Sequence, residues 1–310
     1  MRDGVSALCI AALTIGVFAS ADSAGAATDA WVSATGIDAG DCAINAPCRS
    51  LRYALAQTSP GGTITILTSG RYGPVRITKS VHIMAEGVEA VIAGLGNCGA
   101  AVCIEAGPND VISLRGLTIQ VPLPHQAGSA GIKFATGAGL HLDKCVIGGF
   151  PTFGILLESN PASHLHVFDS KLTGAGIAVR VFAPVGPVRV VFDRIETHDG
   201  NQAFQFGAAG TGSVQAAIRD SLMASHWGYS ILLAGSSTAP VNVMLDRSVV
   251  ANAQVGLEVS SPGGTIRVGD SVFSGHPTTP QTYAGVLSYG TNKIVEGVDG
   301  FQFYPKIPMK

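Results

Sequence analysis

Lys133, Glu158 and Arg180 fall in three short strand-like runs, GIKF, GILLE and GIAVR, each opened by a glycine and continued by alternating apolar residues. That alternation turns the intervening side chains to the opposite face. On stacked rungs the three charges would lie within about 10 Å of one another over two steps. A cation beside a sugar carboxylate neutralises it, and a second basic group can take the α-proton. Lys133 and Arg180 could therefore divide the work of a β-elimination between them. The same residues also suit a solvated surface salt-bridge cluster that needs no substrate, and this plainer reading is preferred. Leu156, Ala178 and Leu232 occupy other outward positions and make the face rather apolar for an anionic polymer. The outward series continues through Gln205 and Glu258 to Tyr289, with Gln205 and Glu258 as candidate ligand-binding residues.

Three further groups invite a chemical reading. Trp227 and Tyr229, in SHWGYS, could stack on sugar rings, although aromatic packing between layers is commoner. His198, His226, Asn252 and His276 recur after successive strands if one copy slips by a residue. A linear stack of this kind suits a hydrogen-bonded corner ladder, whereas zinc wants a compact tetrahedral set. Six aspartates, Asp143, Asp169, Asp193, Asp220, Asp246 and Asp270, each follow a short apolar strand. Stacked about 4.8 Å apart they would repel by roughly 1 kcal/mol per neighbour even in water. Calcium could relieve this. So could Lys144, Arg194 and Arg247, which follow alternate aspartates, together with backbone N–H bonds to the carboxylates in Asx-type turns. No metal or other cofactor is expected, and calcium is the disfavoured alternative.

The elements that must position these residues repeat. The aspartates are separated by 26, 24, 27, 26 and 24 residues, and each copy holds two or three short strands. No 3.6-residue periodicity accompanies this, so a helical repeat is excluded. The period fits one coil of a β-solenoid whose rungs pair with the rungs above and below. The residues two before each aspartate are His141, Val167, Val191, Ile218, Met244 and Val268, and they read as an inward stack. Leucine-rich repeats are the rival, but their Leu spacing is missing. The expected architecture is all-β, a right-handed parallel β-helix of roughly nine coils over residues 63–295.

A solenoid needs caps, because a bare terminal coil exposes an unpaired edge. PCRSLRYALAQ predicts a short helix with Ser50 as N-cap inside an N-terminal cap over residues 27–62, ended by SPGG before TITIL starts the first strand. The tail FQFYPKIPMK, within residues 296–310, is expected to protect the other end. The stretch from Trp31 to Gly87 resembles the N-terminal part of pectin-lyase-like β-helix proteins. The resemblance rests on Ala46-Pro47-Cys48, Pro60 to Ile66, Gly70-Arg71-Tyr72 and Ile77 to Ile83. It implies the β-helix fold over nearly the whole chain and leaves activity open, since the superfamily holds lyases, hydrolases, esterases, epimerases and non-enzymes. Its catalytic strings are missing. SGHP at His276 and GIKF at Lys133 lack the paired carboxylates of a glycoside hydrolase. Pectinesterase-like Q-D-T and D-F-x-F and the pectate-lyase R-x-x-R-x-P pattern are absent too.

The first 26 residues read as a secretory leader: Arg2, an apolar run from Val5 to Phe18, then Ala24-Gly25-Ala26 as a cleavage site, with Ala19-Ser20-Ala21 competing. Cys9 lies inside the run rather than at its end, which argues against a lipid anchor. Cleavage would leave 18 basic and 19 acidic residues (19 less Arg2; 21 less Asp3 and Asp22), too balanced for a nucleic-acid surface. A secreted or periplasmic monomer with no membrane segment after cleavage is expected. Cys42 and Cys48, and Cys98 and Cys103, form two close pairs that read as local disulfides on an exported chain, although four cysteines allow three pairings. Cys145, in an apolar strand, reads as a buried inert thiol. The favoured function is a module that binds an extended polymer such as a polysaccharide. A polysaccharide lyase and a surface structural or adhesion protein are the alternatives.

Overall fold

The computed structural model describes residues 27–121, 130–159, 162–235, 237–276 and 285–295. The leader residues 1–26 and the tail 296–310 therefore lie outside the described residues.

The chain opens with the strand Ala27–Val32 and a loop clamped by the Cys42–Cys48 disulfide, whose Cα atoms are 4.9 Å apart. Asp38 then organises the start of the helix Leu51–Gln57. Its carboxylate accepts the N–H groups of Arg49 and Ser50, both at 2.8 Å, and the Ser50 hydroxyl at 2.7 Å. Ser50 Oγ in turn accepts the Tyr53 N–H, as an N-cap should. Leu51, Ala54 and Leu55 bury the inner stripe of the helix against the first coil. SPGG does not end the helix in a loop, as expected, but belongs to the strand Thr58–Ile66. A shift in pairing with Ala27–Val32 absorbs the extra residues, and a Cβ on Gly62 would sit 2.1 Å from the Thr28 carbonyl oxygen.

From there the backbone winds as a parallel solenoid with sheets of eleven, ten and eight strands. The eight-strand sheet spans about seven full turns between its first and last strands, fewer than the nine expected. The end coils supply only some of the three sides, so counting strand-like segments overcounts coils. Each coil sends its alternate apolar side chains inward. Leu142, Val167, Phe192, Ile218, Leu245 and Val268 stack in one such column, all fully buried. Repetition of this column, with its counterparts on the other sheets, forms one continuous core.

This register corrects the alignment on aspartate. The structural equivalents of Asp143 are Phe168, Asp193, Arg219, Asp246 and Gly269. Asp169, Asp220 and Asp270 stand one residue further on, in left-handed backbone at a corner, alongside Lys144, Arg194 and Arg247. The expected inward stack was thus half right: Val167, Ile218 and Val268 are buried, whereas His141, Val191 and Met244 face outward. The histidine ladder fails for a similar reason. His198 ends a strand in register with Thr173 and Ala224, and Asn252 occupies a left-handed corner with φ 52°. His226 and His276 point into the core.

The corner ladder is made by serines instead. Ser221 Oγ donates to the Arg219 carbonyl at 2.6 Å and accepts the Ile195 N–H from the previous coil at 3.2 Å. Ser170, Ser248 and Ser271 repeat the pattern. Cys145 fills the equivalent position one coil before Ser170, its Sγ 3.4 Å from the Asp143 carbonyl oxygen. As expected it is buried, and burial pushes its thiol pKa up to about 11. Cys145→Ser should leave stability within about 1 kcal/mol of wild type, since the hydroxyl has the same carbonyl to bind. Urea denaturation checks this, and a loss of several kcal/mol would mean that the sulfur packs in a way the ladder does not require.

Candidate functional site

The outer face of the eight-strand sheet carries the sequence-predicted residues. Parallel pairing fixes one central outward column: Arg76, Cys103, Lys133, Leu156, Arg180, Gln205, Leu232 and Glu258. Three cations therefore occupy the same position on alternate coils, Arg76, Lys133 and Arg180, about 10 Å apart from one to the next. Glu158 lies one column over, two residues beyond Leu156, and its Oε1 is 3.6 Å from Arg180 Nη2. The Arg180 guanidinium also sits 5.6 Å from the centroid of the Phe153 ring. Lys133, Glu158 and Arg180 are thus brought onto one face, with Leu156 rather than Glu158 separating the two cations. Among the described residues Lys133 has no ion pair.

The column changes character along its length. Gln205 is next to Arg180, and its Oε1 is buried without a hydrogen-bond partner among the described residues. Arg180, Phe182, Gln205, Gly207, Ala234 and Gly235 line a cleft of about 170 Å³. Beyond Leu232, Glu258 is only 6% exposed and accepts the Ser260 hydroxyl at 3.0 Å, which places it below the surface as a weak ligand contact. At the other end a groove of about 580 Å³ is lined by Arg52, Arg76, Asn97, Glu105 and the Cys98–Cys103 disulfide. Arg76 pairs there with Glu105, Nε to Oε2 at 3.0 Å. The sequence reading missed Arg52 and Arg76. Arg76 had a usable signal in the short V-R-I alternation behind Gly73-Pro74.

An aromatic and polar edge flanks the column. Phe153 pairs with Ile177, and Ile177 with Gln202; Tyr229, half-buried, starts the strand Tyr229–Leu233 and pairs with Val255. Trp227, at the corner just before, is 74% exposed, so it does not pack between coils as the commoner fate of an aromatic predicts. Tyr289 is not on this face. The strand Val286–Ser288 joins the eleven-strand sheet, and Tyr289 N–H donates to the Val268 carbonyl.

The aspartate corner is a charge ladder. Arg194 grips Asp169 through two bonds of 2.7 and 3.1 Å and reaches Asp193 at 2.8 Å, while Arg219 takes the other Asp193 oxygen at 2.6 Å. Arg247 repeats the grip on Asp220 at 2.9 and 2.8 Å and also meets Asp246. These bonds hold the Asp169 and Asp220 carboxyls below the usual carboxylate range and push the two guanidinium pKa values up. Arg194 and Arg247, two of the cations expected to offset the aspartate repulsion, are the residues that bind these carboxylates. Among the described residues no group of three or more His, Cys, Asp or Glu side chains converges as metal ligands.

No family model matches this chain, and no curated protein sequence matches it. By shape it is similar to a pectate lyase, Pel9A, with a TM-score of 0.64 and 15% identity over 91% of this chain and 78% of that one. It is also similar to XylC, solved with xylose, with a TM-score of 0.53 and 8% identity over 79% of this chain and 68% of that one. At such identities the likeness is one of fold: the chain is a right-handed parallel β-helix, as these two structures are.

Proposed function

We propose that the protein is an exported, monomeric module that binds an extended, carboxylate-bearing polysaccharide along its eight-strand face. The observation that carries this reading is the column of Arg76, Lys133 and Arg180 on alternate coils. A straight polymer of like sugars presents its carboxylates at a regular spacing, and a solenoid presents its side chains at one too. Gln205 lines the cleft beside the last cation, and Tyr229 and Trp227 supply aromatic surface at the edge. The names of the two fold neighbours, a lyase of pectate and a protein holding xylose, are in keeping with a saccharide ligand. The two disulfides fit an oxidising compartment such as the periplasm or the exterior.

Binding is favoured over β-elimination by the spacing. The carboxylate and α-hydrogen of one uronate sit on the same carbon, whereas Lys133 and Arg180 are two coils apart and meet different sugars. The test is affinity electrophoresis through gels containing polygalacturonate, alginate or a neutral glucan, with ultraviolet absorbance of the same mixtures followed for unsaturated uronide. Retardation by one acidic polymer, relieved by salt and without rising absorbance, is the expected result. Equal mobility in acidic and neutral gels would refute the reading. Rising absorbance would make the protein a lyase.

A further inference from the structure

The outer face of the eleven-strand sheet, a different side of the solenoid, carries a cluster of three histidines that nothing above employs, with His82 two coils away in the column of His141. His141 and His166 are register partners on adjacent strands, and His164 precedes His166 by two residues in SHLHVF, which places both on one face. Their rings meet. His141 Nε2 and His164 Nε2 are 2.9 Å apart, and the His166 ring stacks on His141 at 4.9 Å with a 12° angle between planes. Gly139 makes the approach feasible, because a Cβ there would fall 2.1 Å from His164 Nε2.

All three side chains are half-buried. Of the polar contacts described for the ring nitrogens of the three residues, the one within hydrogen-bond distance joins His141 to His164. Burial in the first place, and then repulsion from neighbouring histidines, lowers the pKa of His141 and His166, and burial lowers that of His164. Imidazole ligates a metal in its neutral form. Two nitrogens 2.9 Å apart, each about 2.0–2.1 Å from a common ion, subtend about 90° at it. A tetrahedral ion wants a wider angle, whereas about 90° suits a tetragonal one.

The geometry points to a surface site for a tetragonal divalent transition-metal ion, Cu(II) foremost, ligated by His141 and His164 through Nε2. On binding, the ion replaces the proton shared between the rings. The donor imidazole keeps that proton on Nδ1, so no net charge is lost from the protein. Water completes the coordination, since no third side-chain donor stands ready on the same point among the described residues. His166, stacked on His141, fixes the ring plane and is a positioning residue. Arg189, on the neighbouring strand in register with His164, is exposed, and its charge is screened by solvent.

The experiment is titration of the purified full chain, without a polyhistidine tag, with Cu(II) by calorimetry, together with electron paramagnetic resonance of the bound ion. One copper per chain with hyperfine splitting from two imidazole nitrogens is expected. Removing a ligand exceeds the 10- to 100-fold cost of losing a second-shell partner, so His141→Ala and His164→Ala should each weaken binding about 100-fold or more. His198→Ala, at a strand end in the ten-strand sheet, should not change affinity. Absence of tight binding, a spectrum with fewer than two imidazole nitrogens, or wild-type affinity in His164→Ala would each overturn the site. The spectrum of the unaltered protein decides the matter even if a variant misfolds.

Discussion

Arg180→Ala is expected to weaken binding of an acidic polysaccharide by roughly 10- to 150-fold, the equivalent of about 1.5–3 kcal/mol for one hydrogen bond to a charged group. Two changes act together. The variant removes the cation closest to the Gln205 cleft, and it leaves the Glu158 carboxylate, now unpaired with Arg180, facing an anionic ligand. Arg180→Lys should recover part of the loss, because the charge returns but the planar fork and its seat over Phe153 do not. Calorimetry at two salt concentrations separates the contributions: the charge term shrinks with salt and the packing term does not. An unchanged affinity in Arg180→Ala would remove this face from consideration and leave the groove around Arg52 and Arg76 as the place to look.

The parts of this site that were legible in the sequence are those tied to glycine-led alternation. Lys133, Arg180, Gln205 and Glu258 share one column because G-I-K-F, G-I-A-V-R and their relatives carry a fixed alternation into a parallel register. Depth was not legible. Glu258 has the same register as Gln205 yet lies almost wholly buried, and nothing in GLEVS distinguishes it from GIAVR.

The corner shows why a repeat can be found and still be misaligned. Equivalent residues from Asp143 to Gly269 are spaced 25, 25, 26, 27 and 23 apart, whereas the aspartates used as landmarks are spaced 26, 24, 27, 26 and 24 apart. Carboxylates occupy both the last strand position, as at Asp193 and Asp246, and the left-handed residue after it, as at Asp169 and Asp220. An arginine on the other then completes the ladder. The constrained position was two residues beyond the strand end: it is buried on every one of these coils, and Cys145, Ser170, Ser221, Ser248 and Ser271 there, interrupted by Ile195, are the better landmark. The histidine cluster escaped for the same reason: with His141 assigned to the inward stack, its contact with His164 and His166 could not be seen.

Phe204→Ala should cost about 3–5 kcal/mol, the range for truncating a fully buried aromatic. Phe204 touches Phe192 across the coil at 4.8 Å between centroids and lies parallel to Phe206 at 6.0 Å, so no neighbour is free to fill the space it leaves. In a solenoid such a loss is local, because each coil contacts only the coils beside it. Urea denaturation should therefore show a lower midpoint and also a shallower slope, as the coils on either side of the weakened rung come to unfold separately. The change should also reach the binding face. Gln205 stands between Phe204 and Phe206 on the same strand, and its backbone rests on both. With Phe204 gone the floor of the Arg180–Gln205 cleft loses its support, and affinity should fall along with stability. Phe273→Ala, equally buried but on the strand Val272–Ser274 in the ten-strand sheet, should lower stability while leaving binding intact. Equal loss of binding in the two variants would show that affinity follows global stability, and that the cleft is not held up by the ring beneath it.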